Sequence, residues 1–460
     1  MTGYQLMTAC LPEAAAERAD LAEVVGGPAT AHGPEAEVPR GGAGEADGAG
    51  AVGGAGAAGG SGAAGCAVLA WARSGLMELT GYPAGPPLAP VAPVLARAAA
   101  VVSAFGDVSG QGLDPCAVLD LGAVLDLRAV LAARAAEAGW HRRGTVSANG
   151  TCRLLPAADG WLAINLARPV DVRSVPAVLG RDVTGDPWDE LRGEAAGRPA
   201  ADLAAAAQLV GIPAAVLGGD DPAPIRRSEL GARLRPPPAP AVVLDLSAMW
   251  AGPLCTSILG RAGWRVLKVE DSRRPDGARF GPPKFYASLH PGQATIRLDF
   301  GTAAGRAELR RLADQATIIV ESSRRRALRG LGLIAEDWVG AAPGRIWVAI
   351  TGYGREDPQQ RVAFGDDAAV AGGLVTYAAD GTPVFCGDAI ADPLTGLYAA
   401  LAALAAHTAG GGELVDVAMA GVSAHVARRA AGPLFPHVVR PGRDGWTVSH
   451  GTSTEPVRAP

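Results

Sequence analysis

Six cysteines are spread along 460 residues, at Cys10, Cys66, Cys116, Cys152, Cys255 and Cys386, and no two form a Cys-x-x-Cys pair. That spacing excludes a disulfide framework and a zinc site, and it fits reduced thiols in a cytoplasm. Histidines are sparse too, seven in all: beside His32, the residues His141, His290, His407, His425, His437 and His450 show no HxH or HExxH spacing and read as core or surface residues. No run of 18 strongly apolar residues occurs, which argues against a membrane span. The early residues Glu13, Glu17 and Asp20 do not fit the basic-then-apolar pattern of a signal peptide. An excess of basic charge is missing as well. Lys plus Arg is 41 against 46 acidic residues, a net charge of −5, so nucleic acid is not an expected partner. These absences predict a soluble cytoplasmic protein with no nucleic-acid or membrane partner and no metal.

Alanine accounts for much of the 48% hydrophobic content, glycine is heavily used beside it, and charged residues make up 19%. The length allows two or three domains. Residues 1–40 are acidic and alanine-rich, and residues 41–65 are a Gly/Ala run with almost no side chain to bury, read as a linker. Residues 66–105 read helix, turn, helix, and 117–138 read as a further helix. A hairpin follows, with strands over 151–155 and 161–166 joined at Asp159-Gly160. Helices are predicted over 187–196 and 200–210, a strand over 214–217, and a proline-rich connector over 218–240. The second half alternates apolar strands (241–246, 265–270, 317–321, 345–350) with helices (254–262, 302–313). That alternation predicts an α/β fold: a Rossmann-like parallel-sheet large domain over 241–431, beside a smaller α+β domain within 66–217. Neither GxGxxG nor GxxxxGK[ST] follows its first strand, so a dinucleotide or P-loop site is not supported. Residues 432–460 read as an extended tail.

Asp392 ends a short apolar approach and opens an Ala/Leu-rich helix, with Pro393 next to it. This placement predicts an N-cap carboxylate followed by proline at the first helical position. One internal repeat bears on its role. Ser74-Gly-Leu-Met-Glu-Leu-Thr-Gly-Tyr-Pro83 parallels Gly372-Gly-Leu-Val-Thr-Tyr-Ala-Ala-Asp-Gly-Thr-Pro383, and each precedes an Ala-rich helix. Asp392 introduces the second helix, whereas residues 88–105 contain no carboxylate. A cap required by the fold alone would be expected in both copies.

Five segments occur in order: Val243-Leu-Asp-Leu-Ser-Ala-Met-Trp-Ala-Gly-Pro253, Val266-Leu-Lys-Val-Glu270, Leu298-Asp-Phe300 with Thr302-Ala-Ala-Gly-Arg306, Ile350-Thr-Gly-Tyr-Gly354, and Ala391-Asp-Pro-Leu-Thr-Gly-Leu-Tyr398. Together they resemble the class III CoA-transferases, the group of formyl-CoA transferase, carnitine CoA-transferase and 2-methylacyl-CoA racemase. The resemblance covers about residues 241–420. Ala158-Asp-Gly-Trp-Leu-Ala-Ile164 and residues 207–216 resemble the family's small domain, which implies a permuted order, small domain first, with 71–105 as a relic of another large domain.

The resemblance implies that Asp392 is the nucleophile. It attacks an acyl-CoA thioester, giving an aspartyl anhydride and then an aspartyl-CoA thioester, and an acceptor acid reverses the sequence. Coenzyme A is then a substrate thioester, with no permanently bound cofactor, and the partners are acyl-CoA and a carboxylic acid. The resemblance also implies a homodimer, interlocked in relatives. The CoA-binding set is Trp250, Ala251, Arg273, Arg274, Arg324 and Asp367, with Gly352, Gly354 and Gly387 as oxyanion or loop glycines. Trp250 is the expected stacking partner for adenine, and Arg324 matches the arginine of the family's Glu-Asn-Phe-Arg-Pro-Gly run. The family's basic segment before the Leu298-Asp strand is replaced by His290-Pro-Gly-Gln-Ala294, and Asp271 stands where arginine is common. Arg324-Arg-Arg326 with Arg329 is the expected replacement. Gly365-Asp366-Asp367 replaces the Gly-His-Asp of racemases, so an isomerase would need Asp366 as its second base. A non-catalytic acyl-CoA-binding subunit is the alternative from another class.

Overall fold

A computed structural model describes residues 20–21, 24–25, 61–110, 126–235, 237, 241–428 and 437–460. Most of the acidic segment, most of the Gly/Ala run and the first part of the predicted 117–138 helix lie outside these residues.

The N-terminal half builds a three-stranded antiparallel sheet from β1 (Cys152–Ala157), β2 (Gly160–Asn165) and β3 (Ala214–Val216). β1 and β2 are the predicted hairpin, with Ala157 opposite Gly160. Helices Pro169–Leu179, Pro187–Gly197 and Ala200–Leu209 cover one face, around Leu155, Leu162, Ile164, Val175 and Leu203.

Seven strands form the large sheet: β4 (Ile225–Glu229), β5 (Val242–Asp245), β6 (Arg265–Asp271), β7 (Ala294–Leu298), β8 (Ile318–Glu321), β9 (Ile346–Thr351) and, beyond the hairpin of β10 (Val375–Tyr377) and β11 (Pro383–Phe385), β12 (Glu413–Ala418). Their order is β4-β12-β9-β8-β5-β6-β7, all parallel except β4. Counted along the chain, the six parallel strands lie 6-5-4-1-2-3, the doubly wound Rossmann order. Successive residues alternate between two cores. Val243, Ile318, Val320, Val348 and Val415 face helices Ala251–Arg261 and Ala391–Thr408; Leu244, Ile319, Trp347 and Leu414 face helices Ala303–Gln315 and Ala335–Gly340.

The structure departs from the predicted domain division in three places. The 218–240 connector contributes β4, an antiparallel edge strand paired with β12. Its short polar sequence hides the strand, because only Ile225 in it is buried. Residues 437–460 form a sheet of β13 (Val438–Gly442), β14 (Gly445–His450) and β15 (Ser453–Pro456) packed on helix Ser61–Arg73, where an extended tail was expected. Finally, the buried apolar residues described between Leu69 and Ala148 share the core of the large sheet, whereas the β1–β3 unit has a core of its own. The helix Val94–Ser109 lies directly against Ala391–Thr408, so the two copies of the repeat pack side by side. Small residues on both helices permit that approach.

Candidate active site

The strand order reverses between β5 and β8, and ligands in such sheets bind outside the carboxyl ends there. The turn leaving β5 is fixed from below by buried charge. Asp245 accepts from Ser247 N (2.9 Å), Ser247 Oγ (2.5 Å) and Thr256 Oγ1 (2.9 Å). Lys268 Nζ donates to Ser247 O at 2.6 Å and lies 3.5 Å from Asp245 and 3.3 Å from Asp276. Asp276 in turn accepts from Met249 N–H at 2.9 Å, holding Met249 at φ 74°, a left-handed conformation uncommon outside glycine. Helix Ala251–Arg261 starts two residues later and points its first N–H groups over the sheet end.

Asp392 reaches this point from another element. The loop before it turns through left-handed Gly387 (φ 75°) and Ala389 (φ 43°). It is tied by Gly387 N–H to Thr80 Oγ1 (3.2 Å) and Ala389 N–H to Asp366 Oδ1 (2.9 Å). Helix Ala391–Thr408 begins two residues earlier than expected, so Asp392 is its second residue and Pro393 its third, and the N-cap position belongs to Ile390. The carboxylate therefore caps nothing of its own. Instead, backbone N–H groups of Ala251 and Gly365, each the first residue of another helix, bond to it. Burial pushes Asp392 up to about 6, against the opposing pull of Arg134 and of those two N–H groups. The side chain is 9% exposed. It is thus held ionised at neutral pH, poorly hydrated, and open on one side.

Gly365 makes this approach possible. A Cβ there would lie 2.3 Å from Ala389 O and 2.4 Å from Asp392 Oδ2. Gly365→Ala is expected to displace the carboxylate, lowering turnover about 10-fold or more while folding is kept, as checked by kinetics beside circular dichroism.

Beneath Asp392 lies a carboxylate cluster with one cation. Arg134 donates to Asp388 from Nε (2.8 Å) and Nη2 (2.7 Å), and its guanidinium lies over the Trp250 ring at 4.7 Å. Asp366, buried, is pushed up to about 7 by desolvation and then by Asp388, with Arg134 opposing. Arg134 comes from the N-terminal half. Its only sequence signal is its being a lone cation in the run Leu131-Ala-Ala-Arg-Ala-Ala136.

Above Asp392 opens a cleft of about 1260 Å³ lined by both halves of the chain. Of the residues singled out from sequence, it brings together Asp392, Ala251, Arg274, Arg324, Arg325, Arg326, Gly352 and Gly354. Arg329 does not line it, and neither do Trp250, Arg273, Asp367 and Gly387. Trp250 is 2% exposed, its ring taken up by Arg134 and by the edge of Phe285 at 5.0 Å, so it cannot stack on a ligand. Arg273 lies outside the cleft with its guanidinium 3.4 Å from Asp299. Asp367 is fully buried and accepts from Asn165 Nδ2 (3.0 Å) and Phe364 N (3.1 Å), which makes it a structural link between the halves. Gly387 N–H is occupied by Thr80, which removes it from the oxyanion set. Asp366 does not line the cleft either.

Arg168, Glu321 and Arg355 also line the cleft and were not singled out for it from sequence. Burial pushes Glu321 up to about 7, opposed by Ser323 N–H, Trp347 Nε1–H and Arg355. Arg355 itself donates to Glu336 at 2.8 Å. Arg361 is likewise neutralised, by Asp357 and Asp220. Arg274, Arg324 and Arg326 have no carboxylate partner among the described residues, which leaves one wall of the cleft positively charged.

Residues 240–446 match the model of "CoA-transferase family III". The chain is 31% identical over 189 residues to succinyl-CoA–D-citramalate CoA-transferase of Chloroflexus aurantiacus, covering 38% of this chain and 47% of that protein. It is 32% identical over 213 residues to succinate–glutarate CoA-transferase of Agrobacterium fabrum (42% and 53%), and 35% identical over 167 residues to human succinyl-CoA:glutarate CoA-transferase (34% and 38%). The chain thus spans about half the length of the curated relatives it matches. A solved CAIB/BAIF family protein from Brucella suis superposes with a TM-score of 0.42 at 26% identity, covering 45% of this chain and 64% of that one.

Proposed function

We propose that this chain, whose residues 240–446 match the model of CoA-transferase family III, moves CoA from an acyl-CoA donor to a carboxylic acid with Asp392 as nucleophile. The observation that carries the reading is the placement of Asp392: a carboxylate lining a cleft that also holds Arg274, Arg324 and Arg326, and bonded by the first N–H groups of two helices.

The steps follow from those contacts. One Asp392 oxygen attacks the thioester carbonyl carbon, the C–S bond breaks, and CoA leaves as thiolate. The thiolate attacks the aspartyl carbonyl of the mixed anhydride and expels the donor acid as its carboxylate, leaving an aspartyl-CoA thioester. The acceptor carboxylate attacks that thioester, thiolate leaves again, and its attack on the acyl carbonyl of the new anhydride restores Asp392. No proton changes hands, so no imidazole is required. In each aspartyl-centred tetrahedral intermediate the oxyanion is a former Asp392 oxygen, still held by the Ala251 and Gly365 N–H groups. Arg274, Arg324 and Arg326 supply charge for the phosphates of CoA. The relatives act on succinyl-CoA and short dicarboxylic acids by name, which makes succinyl-CoA with glutarate or citramalate the first pairs to try. The racemase alternative finds no support, because Asp366 sits under the loop and off the cleft.

Incubation with succinyl-CoA followed by hydroxylamine is expected to convert Asp392 to its hydroxamate, read by peptide mass spectrometry. Absence of any adduct at Asp392 in a preparation that exchanges CoA between acids would sink the proposal.

A further inference from the structure

We propose that Arg168, from the N-terminal half, completes a four-guanidinium clamp with Arg274, Arg324 and Arg326 on the phosphates of CoA, so that the ligand bridges the two halves of the chain. The inference rests on the CoA-transferase reading and extends it to a residue outside the matched segment.

All four arginines line the same cleft. Gly211 links two of them physically: Arg168 Nη2 donates to Gly211 O at 2.8 Å, and the space a Cβ of Gly211 would fill lies 3.3 Å from Arg324 Nη2. The charge environment of Arg324 agrees, since after burial its ionised form is disfavoured by Arg326, Arg168 and Arg274 in turn, with Asp171, already paired with Arg168, opposing them. Four guanidinium groups brought together beside one carboxylate are costly unless a further anion joins them. The contrast within the cleft is sharp. Arg325, Arg355 and Arg361 each hold a carboxylate, whereas Arg274, Arg324 and Arg326 have none among the described residues.

Arg168 differs from its three neighbours in being fixed. Its Nε and Nη2 are bound to Asp171, at 2.6 Å for the shortest contact, and its guanidinium sits 5.6 Å from the Phe364 ring. Asp171 is 2% exposed, so the pair is anchored from inside the small domain. Nη1 is the edge left without a hydrogen-bond partner among the described residues. An arginine locked along one edge loses little further rotamer freedom when it binds a phosphate oxygen with the other. The missing basic segment at His290-Pro-Gly-Gln-Ala294 is thereby offset by a cation supplied from across the cleft.

The test compares CoA with a phosphate-free thioester. Arg168→Met alone leaves Asp171 buried and unpaired, so the double variant Arg168→Met/Asp171→Asn is made beside it, with Asp171→Asn as control. Calorimetry on the full chain is expected to show CoA binding to the double variant weakened by about 10-fold or more, with a shallower dependence on salt. Turnover of succinyl-pantetheine, which lacks the phosphates, is expected to be unchanged, and Asp171→Asn is expected to bind CoA at least as tightly as wild type. Wild-type CoA affinity in the folded double variant overturns the clamp while leaving the transferase reading intact. Equal loss on CoA and succinyl-pantetheine overturns it too, as does a loss confined to dicarboxylyl groups with free CoA binding unaffected, which would assign Arg168 to the acyl chain. A wild-type protein that binds neither CoA nor succinyl-CoA overturns both readings.

Discussion

Asp392→Asn is expected to abolish transfer, lowering kcat about a thousandfold or more, while making the folded protein more stable at pH 8. The first effect follows from removing the nucleophile: the amide cannot form the anhydride, and no other carboxylate lines the cleft between two helix-start N–H groups. The second follows from linkage. In the folded chain burial raises Asp392 from 3.8 to about 6, so the folded state holds its proton more tightly than the unfolded state does. Stability contributed by this group is present below the unfolded value and is lost as pH rises through the folded one. The rise corresponds to about 3 kcal/mol by pH 8, which the uncharged amide does not lose. Thermal denaturation of both proteins from pH 4 to 8 should show curves that start close together and diverge up to about pH 6. The wild-type rate should fall with an acid limb near the same pH, because only the carboxylate attacks. A variant that keeps its turnover, or that is destabilised at pH 8 and not at pH 4, would show that Asp392 is structural.

Arg134→Met is expected to be the most destabilising single change in the site, by about 3–5 kcal/mol. The substitution strands Asp388, fully buried, without the two hydrogen bonds that pair it with Arg134. It also removes the cation nearest to three carboxylates, since Arg134 acts on Asp388, Asp366 and Asp392 together. Asp366 and Asp392 should then rise further, moving the acid limb of the rate upward. The double variant Arg134→Met/Asp388→Leu is expected to recover most of the stability, because a buried pair replaced by apolar groups of similar volume is often neutral. It should recover the acid limb only in part, because losing Asp388 removes an upward push on Asp392 while the larger opposing pull of Arg134 remains absent. Equal stability of the single and double variants in urea unfolding would show that the pair is not the source of the loss.

The sequence by itself determined the second half of the fold and the position of the proposed nucleophile, Asp392. Strands with apolar runs, such as Val242–Asp245 and Ile346–Thr351, lie in the middle of a parallel sheet, where both faces are covered, and that burial is written directly into composition. Asp392, Ala251, Gly352 and Gly354 were legible because they sit in contiguous motifs at strand and helix ends. β4 and the 437–460 sheet were not legible: their residues are mostly polar or exposed, and edge strands draw their definition from a neighbour. Nor was the fate of each side chain. Trp250 and Arg273 look like ligands in the chain order and face away from the cleft in space. Arg134 and Arg168 carry almost no local signal, since each acts on groups more than 100 positions away, Asp388 for one and Arg324 for the other. What tertiary structure alone decided is the company of Asp392: two helix starts above it, one arginine below it, and a cleft whose far wall comes from the other half of the chain.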